Sequence, residues 1–261
     1  MEAIITPPPA KSFKPVRLLP YWAVLHMDLH QTLKSWIYRV WVLLSLSAAV
    51  GYLLYRFGAY REAGLVQPAS EMMSDLLRWI VLGSVTLIIV LTAGCISAER
   101  GTLADSVLCR GISRHQYFLG KWHSRLVAVL GTFFAMATVV LLGCFFLLHD
   151  QYMSVMGSLV ALLTVAAMLM IVVTCGVTIS AISNSTLLSV AALWLVLYGS
   201  GFVLSLLPGH IWSPDRALKT LPNILRGEYD WGTVVKLWWG AGLLSLCIAA
   251  VGMIQFSRRD I

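Results

Sequence analysis

The chain has 261 residues, of which 59% are hydrophobic and only 12% charged, with a net charge of +7. A soluble domain carries about 25% charged residues, so this composition excludes an ordinary soluble enzyme or binding domain and predicts one polytopic, all-α membrane domain. The basic excess reads as a membrane-topology signal before a nucleic-acid signal, and no nucleic-acid partner is expected.

Residues 1–20 are Pro-rich and basic, with Pro7, Pro8 and Pro9 ahead of Lys11, Lys14 and Arg17. They are expected to form an extended cytoplasmic tail, and the absence of an apolar h-region argues against a cleaved signal peptide. The membrane domain is expected over 21–261. Its first element, 21–35, has Trp22, Leu25, Leu29 and Leu33 at helical spacing. That predicts an amphipathic helix lying in the membrane interface, with His26, Asp28, His30 and Lys34 on its more polar faces.

Six spans are predicted to follow, at 36–55, 79–98, 126–148, 155–182, 186–207 and 237–256. Each approaches or exceeds the roughly 20 apolar residues needed to cross a bilayer. Only Arg39 is charged within these runs, near an end where it can snorkel. If the N-terminus is inside, twelve of the nineteen Lys and Arg fall inside with five of the twelve acids. The inside is then strongly positive and the outside neutral, which predicts an inner (plasma) membrane protein with both termini cytoplasmic. The outside holds a loop at 56–78, a turn around His149 and Asp150, and a segment at 208–236. The last carries Trp212, Leu218, Leu221, Ile224, Leu225 and Trp231 among charges and reads as short amphipathic helices on the outer face.

The loop at 98–122 is basic and reads as structured. Residues 102–110 predict a short helix with Leu103, Val107 and Leu108 as its apolar stripe, ended by Gly111. Ser113 and Gln116 then match a capping box. The next helix starts there and runs through Tyr117, Phe118 and Leu119 into the third span. A helix on the cytoplasmic face, joined rigidly to a spanning helix, is a handle.

No catalytic constellation stands out. No Asp, Glu, Lys or His lies in the middle of a predicted span, which disfavours a proton-coupled carrier. His26 and His30 have the spacing to share a ligand but lack a third His, and read as a solvated helix face. Gly120-Lys121 is not a phosphate-binding loop, since His115 and Trp122 stand where Gly and Ser or Thr are needed. The five Cys are scattered and read as apolar fillers. No metal or cofactor is expected, and the chain is not expected to be an enzyme by itself.

Several motifs in order carry a resemblance. Glu99, then Gly101-Thr102-Leu103, then Ile112-Ser113-Arg114, then Leu119-Gly120-Lys121 entering the third span, resemble the ABC-2 family of ABC-transporter permeases. Asp28 on a helix ahead of the first span, the turn at 180–185 and the basic end at 256–261 are similar to that family too. One departure is Ala104, where the family often has an acid; here Asp105 follows one place later.

The resemblance implies a permease without its own nucleotide-binding domain. A separate ATPase subunit would carry ATP and Mg, and a second permease copy would pair with this one as a homodimer. The assembly would export a substrate, or do mechanical work in maturing a membrane or periplasmic partner. The residues implied in ATPase coupling are Glu99, Gly101, Thr102, Leu103, Val107, Arg110, Gly111, Ser113 and Arg114. Those of the interfacial helix are Trp22, Leu25, Asp28 and Leu29.

Overall fold

A computed structural model describes residues 18–63, 69–99, 112–147, 154–206 and 214–258. They form helices α1 (Leu19–Lys34), α2 (Trp36–Ala63), α3 (Ala69–Ala93), α4 (Arg114–Leu147), α5 (Val155–Ile182), α6 (Thr186–Leu206), α7 (Pro214–Arg226) and α8 (Trp231–Arg258). A single 3-10 turn, Ser97–Glu99, follows α3. The described residues contain no strand. By length and composition α2, α3, α4, α5 and α8 can each cross a membrane; α6 contributes a shorter apolar stretch, Thr186–Gly201.

α5 is the centre of the bundle. It is apolar on every side, and the residues it buries run from Gly157 to Ala181 around its whole circumference. Such a helix is stable only when surrounded; α3, α4, α6, α7 and α8 supply the surround, α8 most extensively. The α8 face that meets it is small, with Ala241, Ser245, Ala249 and Gly252 all buried. Small residues let backbones approach, and Thr178 of α5 donates its hydroxyl across the seam to the Ile248 carbonyl at 3.2 Å. α3 comes equally close on another side. A Cβ on Gly176 would lie 2.0 Å from Thr92 Oγ1, so only Gly fits there.

α2, α3, α4 and α8 extend past the predicted spans at one end or both, and α3 stops short of its predicted end. The expected loop at 56–78 is mostly helix, because α2 continues to Ala63 and α3 starts at Ala69. Charge alone does not stop a helix; the sequence offers a breaking pair only at Gly64 and Pro68. In the segment at 208–236 the described residues form one amphipathic helix, α7, while Trp231 already belongs to α8. Asp230 caps α8, accepting from the Thr233 hydroxyl at 2.6 Å and from the Gly232 and Thr233 amides. The Thr233 hydroxyl, with those amides, holds the Asp230 carboxyl below the usual carboxylate range. Trp212, His149, Asp150 and the tail before Leu18 lie outside the described residues.

Candidate functional site

The first two turns of α4 and those that follow place Tyr117, Lys121, Ser124 and Arg125 on one face, at spacings of four, three and one. α1 packs along this part of α4. It can do so because residue 120 is glycine. A Cβ there would stand 2.8 Å from Val24 Cγ1 and 3.4 Å from the Leu25 amide nitrogen. With α1 this close, Lys121 Nζ reaches Asp28 Oδ1 at 2.7 Å. Arg125 Nη2 reaches the same oxygen at 3.1 Å, and Ser124 donates its hydroxyl to Asp28 Oδ2 at 2.8 Å.

Lys121 has a second partner on its other side. Its Nζ lies 2.7 Å from Glu99 Oε1, and the Tyr117 hydroxyl donates to Glu99 Oε2 at 2.6 Å. Glu99 arrives there because α3 ends early. After Ala93 the chain turns, and the Ile96 and Ser97 amides both donate to Ser180 Oγ of α5, at 3.0 and 3.1 Å. One lysine therefore ties α1, the end of α3 and α4 together. Asp28 is 2% exposed, Lys121 4% and Glu99 35%. Among the described residues two carboxylates, Asp28 and Glu99, face two cations, Lys121 and Arg125. The members of this cluster are costly to bury singly and stable only as a set.

The start of α4 is fixed independently. Ser113 accepts from the Gln116 amide, and Gln116 Oε1 accepts from the Ser113 amide, both at 3.2 Å. This is the capping box expected from sequence. Arg114 Nη1 donates to the Ser257 carbonyl of α8 at 3.1 Å, and the Tyr117 ring stacks on Phe256 at 6.1 Å between centroids. The described residues on either side of 100–111 are thus held in place, Glu99 on one side and Ser113 and Arg114 on the other.

Of the residues implied in coupling, Glu99, Ser113 and Arg114 are in this site. Gly101, Thr102, Leu103, Val107, Arg110 and Gly111, with the predicted helix at 102–110, lie outside the described residues. On α1, Leu25 and Leu29 are half-buried, as their spacing suggests. Trp22 is 61% exposed. Asp28 reverses the expectation of a polar outer face: it points into the protein, because its partners are on α4 and not in water. His26 and His30 stack at 6.2 Å and are exposed. Among the described residues no group of three or more His, Cys, Asp or Glu could hold a metal ion.

Lys121, Tyr117, Ser124, Arg125 and Ser180 were not singled out from sequence as site residues. For Tyr117, Lys121 and Arg125 a signal was present. Tyr117, Lys121 and Arg125 recur every four residues on a helix otherwise becoming apolar, and Asp28 is the only acid between Glu2 and Glu62. An isolated acid and an isolated basic stripe are natural partners. No protein-family model matches the chain, and no curated protein matches its sequence.

Proposed function

We propose that this chain is the membrane-spanning permease subunit of an ATP-driven ABC exporter of the ABC-2 type. It has six spans, α1 lying in the interface, both termini cytoplasmic in the inner membrane, and a second copy as its partner. The observation that carries this reading is Lys121 bridging Asp28 and Glu99, with one end of the 100–111 segment fixed at Glu99. The order of the Glu99, Gly101-Thr102-Leu103, Ser113-Arg114 and Gly120-Lys121 motifs supports it.

Work driven by ATP requires that a partner's closure move a part that moves the spans with it. The 102–110 helix is the part gripped by the ATPase subunit: Leu103 and Val107 enter an apolar groove, and Arg110 or Arg114 meets its acids. Displacement passes through Glu99 and Lys121 to α1, and through the Ser113 cap to α4.

The test is co-purification from the native membrane. The tagged full chain is expected to bring down an ATPase carrying a phosphate-binding loop, as a complex with two permease copies. Leu103→Asp is expected to abolish that association with the permease still inserted. Lys121→Met is expected to retain the ATPase while uncoupling hydrolysis from export. A transport-active preparation free of any ATPase would refute the reading.

A further inference from the structure

α2 is the least buried of the five long apolar helices. It touches α3 only lightly, and between the two a groove of about 340 Å³ remains open. Leu44, Ala48 and Tyr52 line it from α2; Leu76, Trp79 and Gly83 line it from α3. The lining is almost wholly apolar, and the volume sits at the lower end of ligand clefts, which run roughly 300–1,000 Å³. Small residues hold it open. Ala48 leaves room on one wall, and a Cβ on Gly83 would meet nothing within 4 Å.

Just beyond the Tyr52 end of the groove lies a positive charge. Arg56, one turn beyond Tyr52, donates from Nε to the Tyr52 hydroxyl at 3.2 Å. Its guanidinium carbon stands 5.3 Å from the Tyr52 ring centroid. Tyr52 therefore holds the guanidinium by one edge and leaves Nη1 and Nη2 to face an anion in the two-pronged way arginine favours. Arg56 forms no ion pair among the described residues. An apolar slot ending at a positioned cation matches a molecule with an apolar chain and an anionic head.

We propose that the α2–α3 groove is a selective site for an anionic phospholipid of the surrounding bilayer, with one acyl chain between the helices and the phosphate on Arg56. The proposal requires α2 and α3 to lie in a bilayer and is independent of any ATPase. α6 serves as the internal control. Its exposed Leu187 and Leu195 also face outward, but residues 186–206 contain no charge. Lipid there is held by apolar contact alone.

The experiment uses the full chain in phosphatidylcholine bilayers containing a small fraction of phosphatidylglycerol with a diazirine on its acyl chain. Cross-linked peptides are mapped by mass spectrometry. Labelling is expected to concentrate at 44–52 and 76–83, and to fall when the diazirine is carried by phosphatidylcholine. Arg56→Gln is expected to lower groove labelling about fivefold, the contribution of one basic side chain near an anionic lipid. Arg56→Lys should keep most of it. Gly83→Phe fills the slot and should remove groove labelling while α6 remains labelled, which also shows that the protein is still in the bilayer. Equal labelling of α2, α3 and α6 with either headgroup would overturn the proposal in favour of ordinary boundary lipid. An unlabelled groove, with a disulfide forming between Ala48→Cys in two copies, would overturn it in favour of a second copy in the slot.

Discussion

α1 and α7 are both short helices packed on longer ones, and they are built with opposite polarity. α7 buries Ala217, Leu221, Ile224 and Leu225 against α3 and α5, and leaves Lys219, Thr220 and Arg226 exposed. That is the pattern of an amphipathic helix on a water-soluble protein. α1 buries Asp28 and Thr32 and exposes Leu18, Leu19, Trp22 and Met27. A face like that is unfavourable in water and suited to the acyl boundary of a bilayer. The difference lies in what holds each helix. Apolar packing tolerates small shifts in register, whereas a buried carboxylate shared by three donors has one position that satisfies it.

Asp28→Ala should break the comparison most visibly. It leaves Lys121 and Arg125 buried with one partner fewer, a loss of about 3–5 kcal/mol for a buried pair broken on one side. Thermal unfolding in a single detergent measures it. Adding Lys121→Met should recover part of it, because the more deeply buried of the two cations is then removed while Arg125 remains. If Asp28→Ala unfolds like the parent, α1 is not held by charge. For α7 the sensitive position is apolar: Leu221→Ala should cost about 3 kcal/mol through loss of buried methyls and the cavity left behind. Ser113→Ala removes one half of the capping box, an effect of about 1 kcal/mol, readable as faster amide exchange in the first turn of α4. Smallest is Arg226→Gln. Arg226 and Glu71 pair at 2.9 Å but are 34% and 44% exposed, and an exposed pair is worth under about 1 kcal/mol. A large loss there would mean that α7 too is held by charge.

The sequence made some of this readable and hid the rest for physical reasons. The bounds of α5, Val155–Ile182, coincide with the predicted span because Ser154 caps one end and Ser183 the other. The Ser113–Gln116 cap is a local arrangement of four residues and could be read locally. The burial of Asp28 could not. Helical periodicity finds the two faces of α1 but not which one meets protein. The true extent of α2 and α3 was hidden because hydropathy marks where a helix leaves apolar surroundings, not where its hydrogen bonds end. Ser180 could not be picked out at all, since its partners, Ile96 and Ser97, are amides whose position depends on where α3 stops.

That early stop turns α3 from a strut into a crank. A continuous helix would carry a load at Glu99 straight along its own axis. Here the axis is interrupted after Ala93, and the bent arm from Gly94 to Glu99 meets α5 through Ser180 Oγ, two residues before that helix ends, and α6 through Ser97 Oγ, 3.4 Å from Thr186 Oγ1. A push on the arm becomes torque at one end of the central shaft, and that shaft touches five other helices. Because both amides bear on the same hydroxyl, Ser180→Ala would disengage the arm from the shaft in one step, without disturbing the grip of Lys121 on Glu99.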